Sequence, residues 1–331
     1  IRDSVIYCGQ SSSHAVLGGT RMLQYFIPMV RYPYVGQESD CPVCGSADHE
    51  RIANVDRKLK LLSTHVRNHC GRLFHNPMPT GEELSKYYSD TYRFEYQFLR
   101  KALSQSHLAR KNREVEKRID QIGKVADLDT PLRSLDFGCG SGELVRRLGS
   151  MGHAAEGIEP GVSFSEHASK EAGGTAVVHS AGWNEMQFSP GSFDLITCLH
   201  VLEHLNRPLE ALEKMADWLA PGGILFVEVP NMEGYSTKGF DRLHFAHTIG
   251  FSRDNLIHAL QQSGFAVLHE RGPTSIFCVK DGDPRGVDAG INLSAAAARI
   301  RSSYSEPLNV NRYLARHASR LRYVIGIELA R

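Results

Sequence analysis

The segment Leu135-Asp-Phe-Gly-Cys-Gly-Ser-Gly142 decides the fold of this chain. A short apolar run leads into it from Leu132, and its three glycines follow in quick succession. Glycines at such a turn let the backbone bend tightly and approach a ligand without a Cβ in the way. The segment therefore predicts a strand, then a nucleotide-binding turn, then the start of a helix.

The sequence on both sides of this turn alternates short apolar runs with amphipathic segments between residues 132 and 280. The expected strands are 132–137, 154–158, 176–178, 193–198, 224–229, 265–268 and 275–279, with helices at 142–151, 162–172, 206–219 and 252–263. Helical crossovers between strands are typical of a parallel sheet, and the closeness of the last two strands favours a hairpin. We therefore predict an α/β fold with a doubly wound, seven-stranded, Rossmann-like sheet.

Three details near the turn point to one class of ligand. Position 143 is glutamate, where a dinucleotide-binding GxGxxG motif has its third glycine. Asp136 precedes the turn, where it would repel a pyrophosphate but could hold a positively charged group. Glu159 ends the second strand, where a carboxylate can accept both ribose hydroxyls. An adenosine with a cationic amino-acid tail and no phosphate, S-adenosylmethionine (SAM), satisfies all three.

Over about residues 132–280 the chain resembles the class I SAM-dependent methyltransferases. The matching segments are Leu135–Gly142, Gly157-Ile-Glu-Pro160, Ser192-Phe-Asp-Leu-Ile196, Val201-Leu-Glu-His-Leu205 and Leu219-Ala-Pro-Gly-Gly-Ile224. The resemblance implies that SAM is bound by Asp136, Gly138, Gly140, Glu159, Pro160, Ala181, Gly182, Trp183, Leu199 and His200. In this arrangement the turn cradles the methionine part, Glu159 takes the ribose, Ala181–Trp183 flank the adenine, and Leu199 or His200 lines the methyl-donor pocket.

Cysteines near the N-terminus form a second motif. Cys41-Pro-Val-Cys-Gly45 is a zinc-knuckle sequence, with two thiolates on a tight turn. Cys70-Gly71 supplies half of a second knuckle, but Arg67 stands where its first cysteine would be. The predicted ligands of a structural Zn²⁺ are Cys41, Cys44, Cys70 and, as the fourth, His65. The other candidates for the fourth position are His69, whose place next to Cys70 would strain the chelate, and His75. Ordinary reduced cysteines are the alternative.

The cysteine segment also has a family likeness. It resembles the zinc-binding N-terminal module fused to some bacterial small-molecule methyltransferases, best known from sugar C-methyltransferases acting on nucleotide-linked deoxysugars. The likeness is carried by the two cysteine motifs, by Phe74-His-Asn-Pro-Met-Pro79 and by Leu84-Ser-Lys-Tyr-Tyr88. Those enzymes carry a long further C-terminal domain, whereas about 50 residues follow the sheet here. A closed zinc site would be structural, because it leaves no position for substrate.

Five regions are expected along the chain. They are an N-terminal extension (1–36), a zinc-ribbon-like module (37–80), a helical lid or linker (81–131), the SAM-dependent methyltransferase core (132–280) and a C-terminal helical extension (281–331) without an assigned role. Tyr87 and Tyr88 lie in the lid, where they are expected either to touch the ligand or to pack the lid against the sheet.

Histidines gather after the fourth and fifth predicted strands. They are His200 and His204, with Glu203 between them, and then His244 and His247 in the segment Gly234–Phe251. Since α/β sheets build their sites at the carboxyl ends of strands, we expect these residues to converge over the methyl group. The candidate catalytic residues are His204, His200 and His247.

Three interpretations of this cluster are open. In the first, His204 or His247 is a general base, which matters if the acceptor is a weakly acidic hydroxyl or carbon. In the second, the stretch His200-Val-Leu-Glu-His204 and His247 hold a divalent metal. That stretch resembles the ExxEH arrangement of metal-dependent quinone-type and small-RNA 2′-O-methyltransferases, with histidine replacing the first glutamate, which suits a hard cation less well. In the third, Glu203 and His204 cap the turn and brace the next helix.

Composition narrows the possible partners. Across 331 residues, 38 Lys and Arg balance 37 Asp and Glu, and the formal net charge of +1 argues against nucleic acid as a partner. No apolar run reaches the ~18 residues of a membrane-spanning helix. Seven cysteines, an odd number, fit a reduced compartment, so we expect a cytoplasmic protein. The oligomeric state stays open.

The expected activity is SAM-dependent methyl transfer to a carbon or oxygen of a small molecule, a sugar or another secondary metabolite. The alternatives are a metal-assisted O-methyltransferase that uses His200, Glu203 and His204, and an RNA-modifying methyltransferase with the ribbon as a clamp. A non-catalytic adaptor that keeps the fold would bind no SAM. The presence of Asp136 and Glu159 argues against this class.

Overall fold

The computed structural model describes residues 27–41, 43–88, 105–171, 173–233 and 242–304. The expectations for most of the N-terminal extension, for the helix before residue 105 and for the C-terminal helix beyond residue 304 lie outside these residues. None of the described helices is both long and apolar enough to cross a membrane.

The described residues form two sheets. Their strands are β1 (His49–Val55), β2 (Leu61–Arg67), β3 (Leu73–His75), β4 (Arg133–Phe137), β5 (Ala154–Ile158), β6 (Ala176–His179), β7 (Phe193–Leu199), β8 (Leu219–Glu228), β9 (Ile249–Gly250), β10 (Phe265–Gly272) and β11 (Ser275–Lys280). The helices are α1 (Gly81–Lys86), α2 (Gln105–Ile122), α3 (Glu143–Ser150), α4 (Val162–Glu171), α5 (Pro208–Trp218), α6 (Arg253–Gln262) and α7 (Leu293–Tyr304), with a 3₁₀ turn at Leu202–His204.

The larger sheet has seven strands in the order β10-β11-β8-β7-β4-β5-β6. Strands β4 to β8 pair in parallel, and β11 is antiparallel to both β8 and β10. The predicted Rossmann-like α/β sheet of seven strands is confirmed. Because the chain proceeds from β4 toward β6 on one side and through β7 toward β8 on the other, the order reverses beside β4, where such sheets leave a ligand crevice.

The centre of this sheet is the core of the molecule. Leu195, Ile196 and Phe226 lie on β7 and β8 and are fully buried, as is usual for parallel strands that are covered on both faces. Helix α5 begins with Pro208 in its first turn and buries one apolar face that ends at Trp218. This packing holds the carboxyl ends of the strands in fixed positions.

The smaller sheet, in the order β1-β2-β3-β9, belongs mainly to the predicted zinc-ribbon-like module. Its last strand, β9, comes from the segment 234–251, whose His244 and His247 we expected over the methyl group. Ile249 in this strand is fully buried, and the strand pairs with Leu73 and Phe74 of β3. The module and the core therefore share one sheet.

Parts of both predicted extensions pack on the module. Arg31 bridges to Leu61, at the start of β2. Helix α7 covers the β2–β3 turn so closely that a Cβ on Gly71 would lie 2.7 Å from the Ala297 nitrogen. The C-terminal extension that we predicted to be helical is therefore helical over Leu293–Tyr304, where it packs against the N-terminal sheet.

Candidate active site

The glycine turn after β4 leaves open space for a ligand. Gly138 and Gly140 have φ values of 80° and 55°, which favour glycine. A Cβ on Gly138 would lie 2.5 Å from Cγ2 of Val201, so the turn and the segment after β7 are in close contact. At Gly140 no atom of the described residues, apart from its two chain neighbours, lies within 4 Å of the position of a Cβ, which leaves room there for a bound molecule.

Two carboxylates flank this turn. The backbone N–H groups of Gly140 and Gly161 donate to the Glu159 carboxylate at 3.0 and 2.7 Å. Burial raises the pKa of Glu159, against the effect of these two hydrogen bonds. The Thr197 hydroxyl donates to Asp136 at 2.7 Å. Paired carboxylates beside an open glycine turn fit a ligand with a cationic tail and vicinal hydroxyls.

The remaining predicted cofactor residues lie along the same edge. Ala181 and Gly182 follow β6, Pro160 follows Glu159, and Leu199 ends β7. The half-buried Trp183 ring lies 6.5 Å from that of Phe137. The structure therefore gathers the predicted SAM-binding residues at the carboxyl ends of four adjacent strands.

His200 adopts a left-handed backbone conformation, with φ of 59°, immediately after β7. Its Nδ1 lies 3.7 Å from Glu203 and its Nε2 lies 3.2 Å from Glu228. These carboxylates, Glu203 first, raise the pKa of His200 to about 9, and His200 lowers the pKa of Glu228 to about 2. At neutral pH His200 is therefore a cation and a hydrogen-bond donor, which does not suit a general base.

Sequence reasoning missed Glu228, although a signal was present. It is the single charged residue in the apolar run Ile224–Val229. Its carboxylate also accepts from Ser275 at 2.9 Å and from Arg271 at 3.1 Å. Glu228 therefore joins the edge strands to His200.

The raised pKa of His200 predicts a pH dependence of stability. A histidine whose pKa is higher in the folded protein stabilises the fold fully below about pH 6.5 and loses that contribution as the pH rises through about 9. Nearly half of the side chain is exposed, so solvent screening limits the effect to about 1 kcal/mol or less. Urea unfolding of wild type and His200→Gln across this range should show a decline that the variant lacks. Parallel curves would contradict the assignment.

His204 is held in one orientation by two partners. Its Nδ1 lies 2.9 Å from the Ala246 carbonyl and 2.6 Å from the Tyr88 hydroxyl. Because a carbonyl can only accept, Nδ1 carries the proton and Nε2 keeps its lone pair. Burial lowers the pKa of His204, so the ring is neutral at neutral pH. A neutral imidazole whose oriented Nε2 makes no hydrogen bond to the described residues can accept a proton.

Glu203 stands next to this nitrogen. It is 2% exposed, and neither of its carboxylate oxygens has a hydrogen-bond partner among the described residues. One oxygen lies 3.7 Å from His204 Nε2. To the residues that the structure describes, the Glu203 carboxylate therefore makes no hydrogen bond of the kind that would cap the turn. A buried carboxylate without a hydrogen bond is costly, and nearby positive charge, such as that of His200 at 3.7 Å, offsets part of the cost.

His247 completes the cluster. Its ring lies 4.9 Å from that of His204, and burial keeps its pKa well below the usual value. Glu203, His204 and His247 can each direct one ligand atom to within 4.8 Å of the others. The arrangement can accept a proton or hold a cation.

The three cysteines of the N-terminal module also come together. All three sulfur atoms lie within 4.8 Å of one another, and those of Cys41 and Cys70 are 3.8 Å apart. Thiolates bound at 2.3 Å to one tetrahedral zinc stand about 3.8 Å apart, so this spacing fits zinc and not a disulfide. The Cys44 N–H points to the Cys41 sulfur at 3.4 Å. Hydrogen bonds from the Cys44 and Cys70 thiols lower the pKa of Cys41.

Two arginines surround the thiols. Arg67, 1% exposed, donates to the carbonyls of Ser46, at 2.9 Å, and of Ser39, so it holds both ends of the first knuckle. Arg72 is fully buried, with two guanidinium nitrogens that lack a hydrogen-bond partner among the described residues. Buried cations require nearby negative charge, which zinc-bound thiolates would supply.

We predicted His65 as the fourth ligand, but the structure does not place its ring beside the thiols. Its two ring nitrogens lie 2.9 Å from the Ser63 hydroxyl and 2.9 Å from the His49 ring. His75 is also turned away, with Nε2 at 3.0 Å from the His244 carbonyl. Sequence spacing places a histidine near a knuckle but does not determine which neighbours its ring contacts.

Comparisons with known proteins support this description. The family model described as "Methyltransferase domain" matches residues 105–270, half of the chain. A ubiquinone biosynthesis O-methyltransferase of Burkholderia vietnamiensis is 32% identical over 111 residues, which cover 30% of this chain and 44% of that protein. One of Vibrio cholerae is 29% identical over 135 residues, covering 40% and 52%. The chain spans about half the length of the curated relatives it matches.

Solved structures give a distant likeness. Magnesium protoporphyrin IX methyltransferase (ChlM) from Synechocystis PCC 6803 is 14% identical and covers 61% of this chain and 100% of that one, with a TM-score of 0.45. A SAM-dependent methyltransferase from Mesorhizobium loti is 16% identical and covers 48% and 95%, with a TM-score of 0.41.

Proposed function

This chain belongs to the methyltransferase-domain family, as a SAM-dependent methyltransferase, and from this premise we propose that it methylates an oxygen or carbon of a small molecule. The observation that supports the proposal most is the pair formed by His204 and Glu203. A neutral imidazole with a free Nε2 lies beside a buried carboxylate without a hydrogen-bond partner. Such a pair is suited to an acceptor that must lose a proton.

SAM, when bound, supplies a methyl group on a positively charged sulfur. Asp136 and the glycine turn would hold its methionine part, and Glu159 its ribose. The open space above Gly140 is consistent with a ligand there. Because methyl transfer is an in-line displacement, the main work of these residues is to hold the two reactants in line.

His204 would act as the general base. Its Nε2 takes the proton of the acceptor, and the nearby Glu203 carboxylate stabilises the imidazolium that forms. The Ala246 carbonyl and the Tyr88 hydroxyl keep Nδ1 in place during this step. His200, already a cation, would donate a hydrogen bond to the acceptor and not remove its proton.

The acceptor class follows from the need for a base. The names of the curated relatives support a hydroxyl group, since they are O-methyltransferases. The likeness of residues 37–80 to the modules of sugar C-methyltransferases supports a sugar carbon. Both acceptors must lose a proton, and both are consistent with the His204 site.

A metal-assisted O-methyltransferase is the second candidate. It is favoured by the proximity of Glu203, His204 and His247, whose ligand atoms lie within 4.8 Å of one another. A divalent cation there would compensate the buried carboxylate and would bind the acceptor oxygen. His200 lies outside this group, next to Glu228.

We also propose that Cys41, Cys44 and Cys70 hold a structural zinc ion. The 3.8 Å separation of two sulfur atoms and the two buried arginines support this assignment. Zinc would supply stability to the module, and no chemistry.

The cofactor site predicts a loss of SAM affinity on substitution. Replacing Asp136 by Ala or Glu159 by Gln should raise the dissociation constant at least about tenfold, the equivalent of about 1.4 kcal/mol. Calorimetric titration with SAM measures this directly. Glu166→Gln, an exposed carboxylate on α4, is the matched control and should bind normally. Wild-type affinity in the Asp136 and Glu159 variants would contradict the site.

The activity itself can be tested by transfer of a radiolabelled methyl group from SAM. The full chain is incubated with catechols, with nucleotide sugars and, separately, with total RNA. Label in a small molecule is the expected result. Label in RNA, or SAM binding without transfer to any class, would contradict the proposal.

A further inference from the structure

Among the described residues, no fourth ligand atom joins the three thiols of the N-terminal module to close a tetrahedral zinc site. Of the histidines near them in sequence, His65 and His75 have ring nitrogens engaged elsewhere. His69 is exposed and lies in a tight turn, in which the Gly71 N–H donates to the Arg67 carbonyl at 2.9 Å. His49, the remaining histidine of the module, has its Nδ1 at 2.9 Å from the His65 ring. The described part of the module therefore offers no well-placed imidazole.

The methyltransferase core reaches the thiols through helix α6. Cys41, Cys70 and Phe74 share one buried cluster with apolar residues of that helix, among them Ile257 and Leu260. The thiols therefore lie at the contact between module and core, and not on an isolated ribbon.

Arg72 shows which part of the helix is near. Two residues after Cys70, it donates to the carbonyl of Asn255 at 2.6 Å. Residues three apart in a helix are neighbours on one face, so His258 follows Asn255 on the face that Arg72 reaches. His258 is half-buried, and Arg72, His69 and Cys41 are all near enough to act on the pKa of its ring, which burial lowers.

We propose that His258 is the fourth zinc ligand, so that the metal joins the N-terminal module to helix α6 of the methyltransferase core. The inference depends on the zinc site proposed above. Among the described residues, the ligand atoms that lie within 4.8 Å of one another in this module are the three thiols, without His258. The imidazole would therefore turn toward them when zinc binds. Three thiolates and one imidazole form a closed, structural set. Zinc would then hold the module on the core. The sheet pairing between the two involves only the two residues of β9 among the described strands.

The test compares zinc retention by the full chain and three variants. Wild type should carry one zinc ion per chain in native mass spectrometry. His258→Ala should lose zinc to a chromogenic chelator. Its zinc affinity should fall by more than about 10–100-fold, which is the usual cost of losing a residue that only hydrogen-bonds to a zinc ligand. His69→Ala, the matched control, should retain zinc as wild type does. His258→Cys should restore retention.

Cobalt substitution adds a spectroscopic readout. With Co²⁺ in the site, the thiolate charge-transfer band should grow in His258→Cys, because a fourth thiolate replaces an imidazole. SAM affinity serves as the folding control for each variant. Zinc-free wild type would overturn the zinc site and, with it, this inference. A zinc-bound wild type with unchanged affinity in His258→Ala, or a loss confined to His69→Ala, would overturn the assignment of His258 alone.

Discussion

Replacing His204 by alanine should lower turnover by about 10²–10⁴-fold, the usual contribution of a general base, and leave SAM affinity unchanged. The reason is that Nε2 of His204 is the free basic nitrogen, whereas the ring of His200 is already charged. Initial rates at saturating SAM, with an acceptor found in the transfer assay, measure the effect. His269→Ala removes an exposed histidine on β10 and is the matched control.

The pH profile gives an independent readout of the same residue. Burial holds the pKa of His204 below its usual 6.5, so the neutral form is already dominant at neutral pH. Turnover should therefore rise from acidic pH to a plateau near neutrality, because only the deprotonated ring accepts a proton. Glu203→Gln should reduce the rate, since it removes the charge that stabilises the imidazolium. Full turnover in His204→Ala would exclude this role, and loss of wild-type turnover with EDTA would favour the metal candidate.

The core sheet could be predicted from the sequence because its strands are local patterns. Each parallel strand is an apolar run that ends near glycine or a polar residue, and the seven runs became the seven strands. Strand β9 could not be predicted in this way. It has two residues, too few for a period, and it forms because Ile249 and Gly250 pair with β3.

The same distinction between local sequence patterns and long-range contacts holds for the candidate site. The glycine turn, Asp136 and Glu159 are close in sequence to the strands that hold them, so the motif predicted their grouping. The contact of Tyr88 with His204 joins residues 116 positions apart, and no local pattern encodes it. The proposed zinc site presents the same difficulty for its fourth ligand. Spacing favoured His65, but the partners of a ring are decided by how strands and helices pack.

Replacing Cys70 by serine should remove zinc and lower the melting temperature substantially. A metal present at about 1,000 times its dissociation constant stabilises a fold by about 4 kcal/mol, which for a domain of this kind is roughly 5–15 °C. Cys70 is fully buried where module, helix α6 and helix α7 meet, so loss of the metal also loosens that contact. Differential scanning calorimetry with and without a chelator measures the change.

The matched control for this loss is Cys278→Ser, a fully buried thiol on β11, away from the cysteine cluster. Both serine variants carry the cost of burying a hydroxyl, about 1–3 kcal/mol. Only Cys70→Ser should also become insensitive to the chelator, because it has no metal left to lose. Cys70→Ser that remains folded should bind SAM normally, since the thiols lie in loops beside the N-terminal sheet and the predicted SAM-binding residues lie at the edge of the large one. No chelator effect on wild type or on either variant would show that the thiols act only through packing, and equal sensitivity of both variants would show that Cys70 is not a ligand.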